Sequence, residues 1–93
     1  MIKSFKDADT QFLWETGRSR RVPASVRGVA LRMLAVLHWA THLVDLTVPP
    51  ENRFEALKGG RKGQHSIRIN DQCRLCFAWR SGDAHDVEIV DYH

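Results

Sequence analysis

Gln64-His65-Ser66-Ile67-Arg68-Ile69-Asn70-Asp71-Gln72-Cys73-Arg74-Leu75-Cys76-Phe77-Ala78-Trp79 is the stretch that decides the fold. Ile67 and Ile69 alternate with Ser66 and Arg68. Cys73, Leu75, Phe77 and Trp79 alternate with Arg74, Cys76, Ala78 and Arg80. A period of two marks strands with one apolar face. Asn70-Asp71-Gln72 between them is turn chemistry, so the stretch reads as an antiparallel hairpin. A three-residue loop pairs residue 69 with 73, and therefore 68 with 74. If the isoleucines, Leu75 and Phe77 lie on a covered face, the pleat sends Arg68 and Arg74 to the other, directly across from each other. Like charges so placed are destabilising by up to ~1 kcal/mol. Either an anion sits between them, or each arginine finds an acid such as Asp86 or Glu88. A four-residue loop makes them diagonal neighbours on that same face.

Outward from the hairpin, Ser81-Gly82-Asp83 turns the chain again and Ala84 to Val90 returns as a strand. It delivers Asp91-Tyr92-His93, three groups able to move or orient protons. Upstream, Asn52 to Leu57 is a further candidate strand, and Lys58 to Gly63 is a basic, turn-rich loop. Before Pro49-Pro50, which forbid helix, the apolar spacing is helical. Asp7 is placed to N-cap a short helix through Phe12, Leu13 and Glu15 that ends at Gly17. Pro23 suits the first turn of a second helix with Val26, Val29, Ala30, Met33, Leu37 and Ala40 as its apolar stripe. Thr41 to Leu46 adds a turn, Ile2 and Phe5 flank a short edge segment, and Trp39 and Trp79 have core-like spacing. Helices first and strands after predict an α+β fold. Two N-terminal helices are expected on one face of a mostly antiparallel four- to five-stranded sheet, with residues 1–93 as a single domain.

The chain of 93 residues has 43% hydrophobic and 27% charged residues, values of a globular rather than a disordered chain. Arg32 breaks the longest apolar stretch, so no membrane span is expected. No apolar signal region follows Met1-Ile2-Lys3-Ser4, which points to the cytoplasm. The net charge of +3 is uneven. Arg18, Arg20, Arg21, Arg27 and Arg32 form a basic run without acids, and Arg53, Lys58, Arg61, Lys62, Arg68 and Arg74 stand against two acids, Glu55 and Asp71. The end carries Asp83, Asp86, Glu88 and Asp91 with no Lys or Arg.

Two other spacings suggest chemistry and do not sustain it. Cys73-Arg74-Leu75-Cys76 has C-x-x-C spacing, but a redox pair needs a helix N-terminus and these residues lie in a strand. Two reduced cysteines are expected. His38 and His42 share a helix face but have no third ligand at a familiar spacing. No cofactor and no metal is implied.

Arg53-Phe54-Glu55-Ala56-Leu57-Lys58-Gly59, then Gly63-Gln64, Ser66 to Gln72, Arg74, and Gly82-Asp83-Ala84 through Val87 to His93 resemble the HigB toxins of the RelE/ParE superfamily. The likeness runs end to end and includes Met1 to Phe5. It implies a ribosome-dependent endoribonuclease that cuts mRNA in the A site and inhibits translation. It also implies a HigA-like helix-turn-helix antitoxin as partner, with operator DNA reached only through that antitoxin. The implied catalytic residues are Glu55, Lys58, Arg68, Arg74, Asp91, Tyr92 and His93. RNA and ribosome contacts are expected from Arg18, Arg20, Arg21, Arg27, Arg53, Arg61 and Lys62. The family often has histidine at the position of Glu55, tryptophan at Cys73, tyrosine at His85 and aspartate at Gly60. The metal-free chemistry would use the substrate's 2′-hydroxyl as nucleophile, cations on the phosphate, and an acid for the leaving 5′-oxygen. A ParE-like gyrase poison and a catalytically degenerate binding module of the same fold are the competing readings.

Overall fold

In the computed structural model, residues 1–91 are described. Asp7 adopts an extended conformation and its carboxylate accepts the Thr10 N–H at 2.6 Å, starting helix α1 (Ala8–Thr16). Gly17 closes that helix at φ 76°, where a side chain would be strained, and its N–H caps the Leu13 carbonyl. Helix α2 runs Ala24–Trp39. Pro23 stands just before it, with ψ 148°, rather than inside its first turn. Ala30, Met33, Leu34 and Leu37 are the buried face of α2, while Val26 and Val29 are half-buried at its margin. Leu34 was absent from the expected stripe. Trp39 corrects a second expectation: it is 73% exposed, whereas Trp79 packs against the core.

Short 3-10 turns over Leu43–Thr47 and Pro50–Asn52 lead into the sheet. The strand expected from residue 52 to 57 shrinks to β1 (Glu55–Ala56). Asn52 is the cause of its late start. Its side chain is buried and donates to the carbonyls of Leu46 and Val48, both at 3.2 Å, which holds the segment in a turn. Strands β2 (Gln64–Arg68), β3 (Cys73–Arg80) and β4 (Asp83–Asp91) follow, all antiparallel, in the order β1-β2-β3-β4. Ser81 and Gly82 both have positive φ, so β3 and β4 join through the two-residue turn whose twist suits a hairpin.

The outer edge of β4 is covered. Ile2 and Phe5 bridge in parallel to Ala84 and Val87. The buried Thr10 hydroxyl accepts the Ile89 N–H at 3.2 Å. An exposed ladder edge is thereby avoided. Between Cys76 and Ala78 the β3–β4 register slips, and Asp86 has φ 52°. The extra residue lets Ala84, Val87 and Ile89 all point to the helix side, where a regular strand would turn Ala84 away. Phe77 is the largest fully buried side chain of that layer, flanked by His65 and Trp79 at ring separations of 5.8 and 6.3 Å. Burial holds the His65 imidazole below its ordinary pKa, so the ring packs as a neutral group between Phe54 and Phe77.

Among the described residues, no helix is long and apolar enough to cross a membrane.

Candidate active site

The turn Asn70-Asp71-Gln72 is built by the Asn70 side chain. Its carboxamide oxygen accepts the N–H groups of Gln72 and Cys73 at 2.9 and 2.7 Å. The loop is therefore three residues long, and Arg68 pairs directly with Arg74 across β2 and β3. Their side chains, with Arg53, Asn70 and Asp71, line an open hollow of about 320 Å³. Three guanidinium groups around one hollow make it a site for an anion of phosphate size.

The two paired arginines are held differently. Arg74 is only 15% exposed. Its Nε donates to the Ser66 hydroxyl at 2.8 Å, and its Nη2 donates to the Arg53 carbonyl and, at 3.5 Å, to the Ser66 carbonyl. Glu55 stands 3.8 Å from Nη2, its own side chain 61% exposed. Nη1 is left without a hydrogen bond to any described residue. Arg68 pairs with Asp71, whose side chain is 95% exposed. Both acids are solvated counter-ions of the kind that hold weakly. They relieve the repulsion between the arginines without filling the hollow. The acids are Glu55 and Asp71, not Asp86 or Glu88. Glu88 instead binds Lys6 and Arg61, at 3.2 and 3.3 Å.

Other predicted site residues lie elsewhere. Lys58 is exposed at the start of the Gly59–Arg61 turn and does not line the hollow. Asp91 pairs with Cys73, on the helix side of the sheet, and the two line a second pocket of about 210 Å³ with Arg21 and Val22. The pleat that brings Arg74 to the arginine hollow keeps Asp91 on the other face. Tyr92 and His93 lie outside the described residues. Arg27 is committed to structure, donating to the carbonyls of Val22 and Ser19 at 3.0 and 2.8 Å. Arg21 reaches Thr10 and Asp7, and Arg61 reaches Gln64 and Glu88. Arg18, Arg20 and Lys62 are exposed.

Arg53 has a larger part than its place in a basic run suggested. It has φ 46°, caps the Pro50–Asn52 turn, and presents both a side chain to the hollow and a carbonyl to Arg74. Ser66 was not singled out at all, although its parity with Arg68 already put it on this face.

The cysteine and histidine spacings resolve as structure. Cys76 is buried on the sheet face opposite Cys73. Burial, and after it the Asp91 carboxylate, push the Cys73 thiol above its ordinary pKa against the opposing effect of Arg21. That is the reverse of an activated thiolate. His38 accepts the Ile2 N–H at 3.2 Å and packs against Trp14 and Trp39, and it shares no helix face with His42, because α2 ends at Trp39 and His42 caps the Leu43–Thr47 turn.

Two helices on a four-stranded antiparallel sheet, with three arginines around one hollow on the face away from the helices, define a small α+β class. Solved structures share it. A YoeB–YefM complex from Staphylococcus aureus aligns with a TM-score of 0.61 at 14% identity, covering 100% of this chain and 98% of that one. A variant of YafQ from E. coli aligns with a TM-score of 0.59 at 9% identity, covering 98% and 93%. Sequence relatives are nearer. Toxin HigB-1 of Vibrio cholerae is 44% identical over 85 residues, 90% of each chain, and Endoribonuclease HigB of Proteus vulgaris is 33% identical over 93 residues, all of each. The family described as the RelE-like toxin of type II toxin–antitoxin system HigB matches residues 3–93, and the chain belongs to that family of HigB-like toxins. It is a type II toxin.

Proposed function

We propose that this toxin is a ribosome-dependent endoribonuclease that cleaves mRNA in the A site through attack of the substrate's own 2′-hydroxyl. The observation that carries the reading is the Arg68–Arg74 cross-strand pair, with Arg53 beside it, around one open hollow. The scissile phosphate is the anion that such a like-charged pair lacks. On entering, it displaces the solvated carboxylates of Asp71 and Glu55. Arg74, already oriented by Ser66, then stabilises the charge that develops on the phosphate. Arg68 and Arg53 complete the cation set, and Lys58 supplies a further charge on binding RNA. A relative named as an endoribonuclease, 33% identical along its whole length, supports RNA cleavage.

Glu55, freed from Arg74, is the proposed general base. Tyr92 and His93 would orient the message and protonate the leaving oxygen, whereas Asp91 faces the second pocket and would act only indirectly. The exposed Arg18, Arg20 and Lys62 would meet ribosomal RNA by sequence-independent attraction. Arg21, Arg27, Arg53 and Arg61 would contribute to that field while holding their internal bonds. The ribosome places this activity in the cytoplasm. The partner that silences it would be a HigA-like antitoxin, which alone would contact operator DNA.

The test is cleavage of a reporter mRNA by the purified protein with and without translating ribosomes. Cutting confined to translated regions supports the reading. No cutting, together with trapped gyrase–DNA cleavage complexes, replaces it with gyrase poisoning. A second measurement addresses Glu55. If it is the base, Glu55→Gln lowers the cleavage rate about 10²- to 10⁴-fold while the protein stays folded. An unchanged rate moves the role to His93.

A further inference from the structure

The loop between β1 and β2 is basic, rich in glycine and almost wholly in water. Gly59 and Gly63 have positive φ, and residues 58–60, 62 and 63 are all exposed. Arg61 is the exception. Its Nη1 donates to the Gln64 carboxamide oxygen at 3.0 Å and to Glu88 Oε2 at 3.3 Å. Gln64 stands on β2 and Glu88 on β4, with β3 between them. The guanidinium therefore bridges over β3, on the face away from the helices. That roof accounts for Cys76 and Ala78, which point to the same face as Arg74 and yet are buried.

Glu88 holds a second cation. Lys6 Nζ reaches the same Oε2 at 3.2 Å, and the Lys6 N–H donates to the Val87 carbonyl at 2.9 Å, which sets Lys6 alongside β4. Two cations thus share one carboxylate oxygen, and positive charge is in excess on this part of the sheet. The side chain of Glu88 is 14% exposed, against 36% for Arg61 and 52% for Lys6. Glu55 and Asp71, by contrast, stand in solvent. A solvated acid yields to an incoming phosphate, whereas an acid set deeper than the cations it binds stays and orients them. Glu88 pairs with Cys76, which lies two residues along β3 from Arg74, a separation of about 7 Å on an antiparallel strand. Successive phosphates of an extended RNA strand are comparably spaced.

We propose that Glu88 is a positioning residue, which clasps Arg61 across β3 and holds Lys6 beside it as a second phosphate station, taking the RNA phosphate next to the scissile one. The proposal rests on the reading of the arginine hollow as the active site and adds where the neighbouring nucleotide is held. One anion site fixes a point on a flexible single strand. Two sites on one rigid sheet fix its direction across the hollow, which is the orientation that in-line attack by a 2′-hydroxyl requires. Through Arg61 the same clasp seats the basic loop on the sheet.

The experiment uses the purified toxin on programmed ribosomes and reads two quantities. One is the Kd for a message blocked by a 2′-deoxy nucleotide at the cleavage site; the other is the cutting rate of the unblocked message at saturating toxin. Glu88→Gln is decisive because charge and position predict opposite signs. If Glu88 acts only through its charge, removing it strengthens binding to RNA. Loss of the clasp weakens binding, by about ten-fold for the charge-assisted bonds given up, and leaves the saturated rate within about two-fold of wild type. Arg61→Ala weakens binding likewise and lowers the salt slope by about one. The double variant binds no more weakly than Arg61→Ala alone, since both changes open one clasp. Thermal melts check folding. If Glu88→Gln melts early, Arg61→Lys carries the test, because it keeps the charge and gives up the fork that spans to Glu88. Wild-type or tighter binding in the variant that carries the test overturns the proposal. So does a saturated rate that falls as far as the affinity, which would put Glu88 in the chemistry of the hollow itself. A wild type that binds the blocked message but does not cut the free one sinks the nuclease reading, and weaker binding by Glu88→Gln still upholds the station. A wild type that does not bind programmed ribosomes overturns both.

Discussion

Cleavage by Arg74→Ala falls by about 10²- to 10³-fold, the loss typical of removing one preorganised donor to a developing oxyanion. The orientation of Arg74 is set in advance by the Ser66 hydroxyl at 2.8 Å and the Arg53 carbonyl, which leave Nη1 for the substrate. No side-chain ordering is then required at the moment of reaction. Arg74→Lys keeps the charge but loses the fork, so it recovers only part of the rate. Removing the guanidinium also leaves the fully buried Ser66 hydroxyl without its donor, which costs about 1 kcal/mol of stability. The loss of rate therefore far exceeds any loss of folded protein. Single-turnover cleavage on programmed ribosomes, with circular dichroism as the folding control, makes the measurement. A folded Arg74→Ala protein that cuts at the wild-type rate removes the arginine hollow from the mechanism.

Phe77→Ala lowers the folding free energy by about 3–5 kcal/mol, the cost of deleting a large aromatic from a packed core. Phe77 is completely buried on the helix side of β3. A chain of 93 residues has a total stability of roughly 5–14 kcal/mol at the usual per-residue values, so this one change removes a large share. The effect reaches the arginine hollow through the backbone: β3 also carries Arg74, and its pairing with β2 sets Arg74 opposite Arg68. Urea unfolding is the check. The midpoint should drop markedly, and a midpoint equal to that of wild type would show that Phe77 does not hold the sheet to the helices.

Much of the site was legible because strand parity is a strict rule. The alternation through Ile67, Ile69, Leu75 and Phe77 puts Arg68 and Arg74 on one face, and the three-residue loop that the structure contains pairs them directly. Parity also bears on Asp91, which shares a face with Ile89 and Cys73 rather than with Arg74. Grouping Asp91 with the arginines followed the resemblance and not the pleat. The internal commitments of Arg21, Arg27 and Arg61 were not legible. A run of basic residues shows charge but not which guanidinium groups find backbone carbonyls or acids distant in sequence. Trp39 was misplaced because α2 is apolar nearly all round, so spacing alone does not select its inward side.

The sequence by itself determined the α+β order and the hairpin, and left the hairpin's register between a three- and a four-residue loop. These are local properties of period, turn chemistry and caps, carried by neighbouring residues. Only the tertiary structure decided that Arg53 turns its carbonyl to Arg74, that Ser66 fixes the same guanidinium, and that Asp91 faces a different pocket. Those facts depend on contacts between segments far apart in the chain, and on a buried Asn52 that delays β1 until Glu55 stands beside Arg74. A long-range hydrogen bond has no periodicity to read, so the arginine hollow comes into view only when the packed chain supplies its walls.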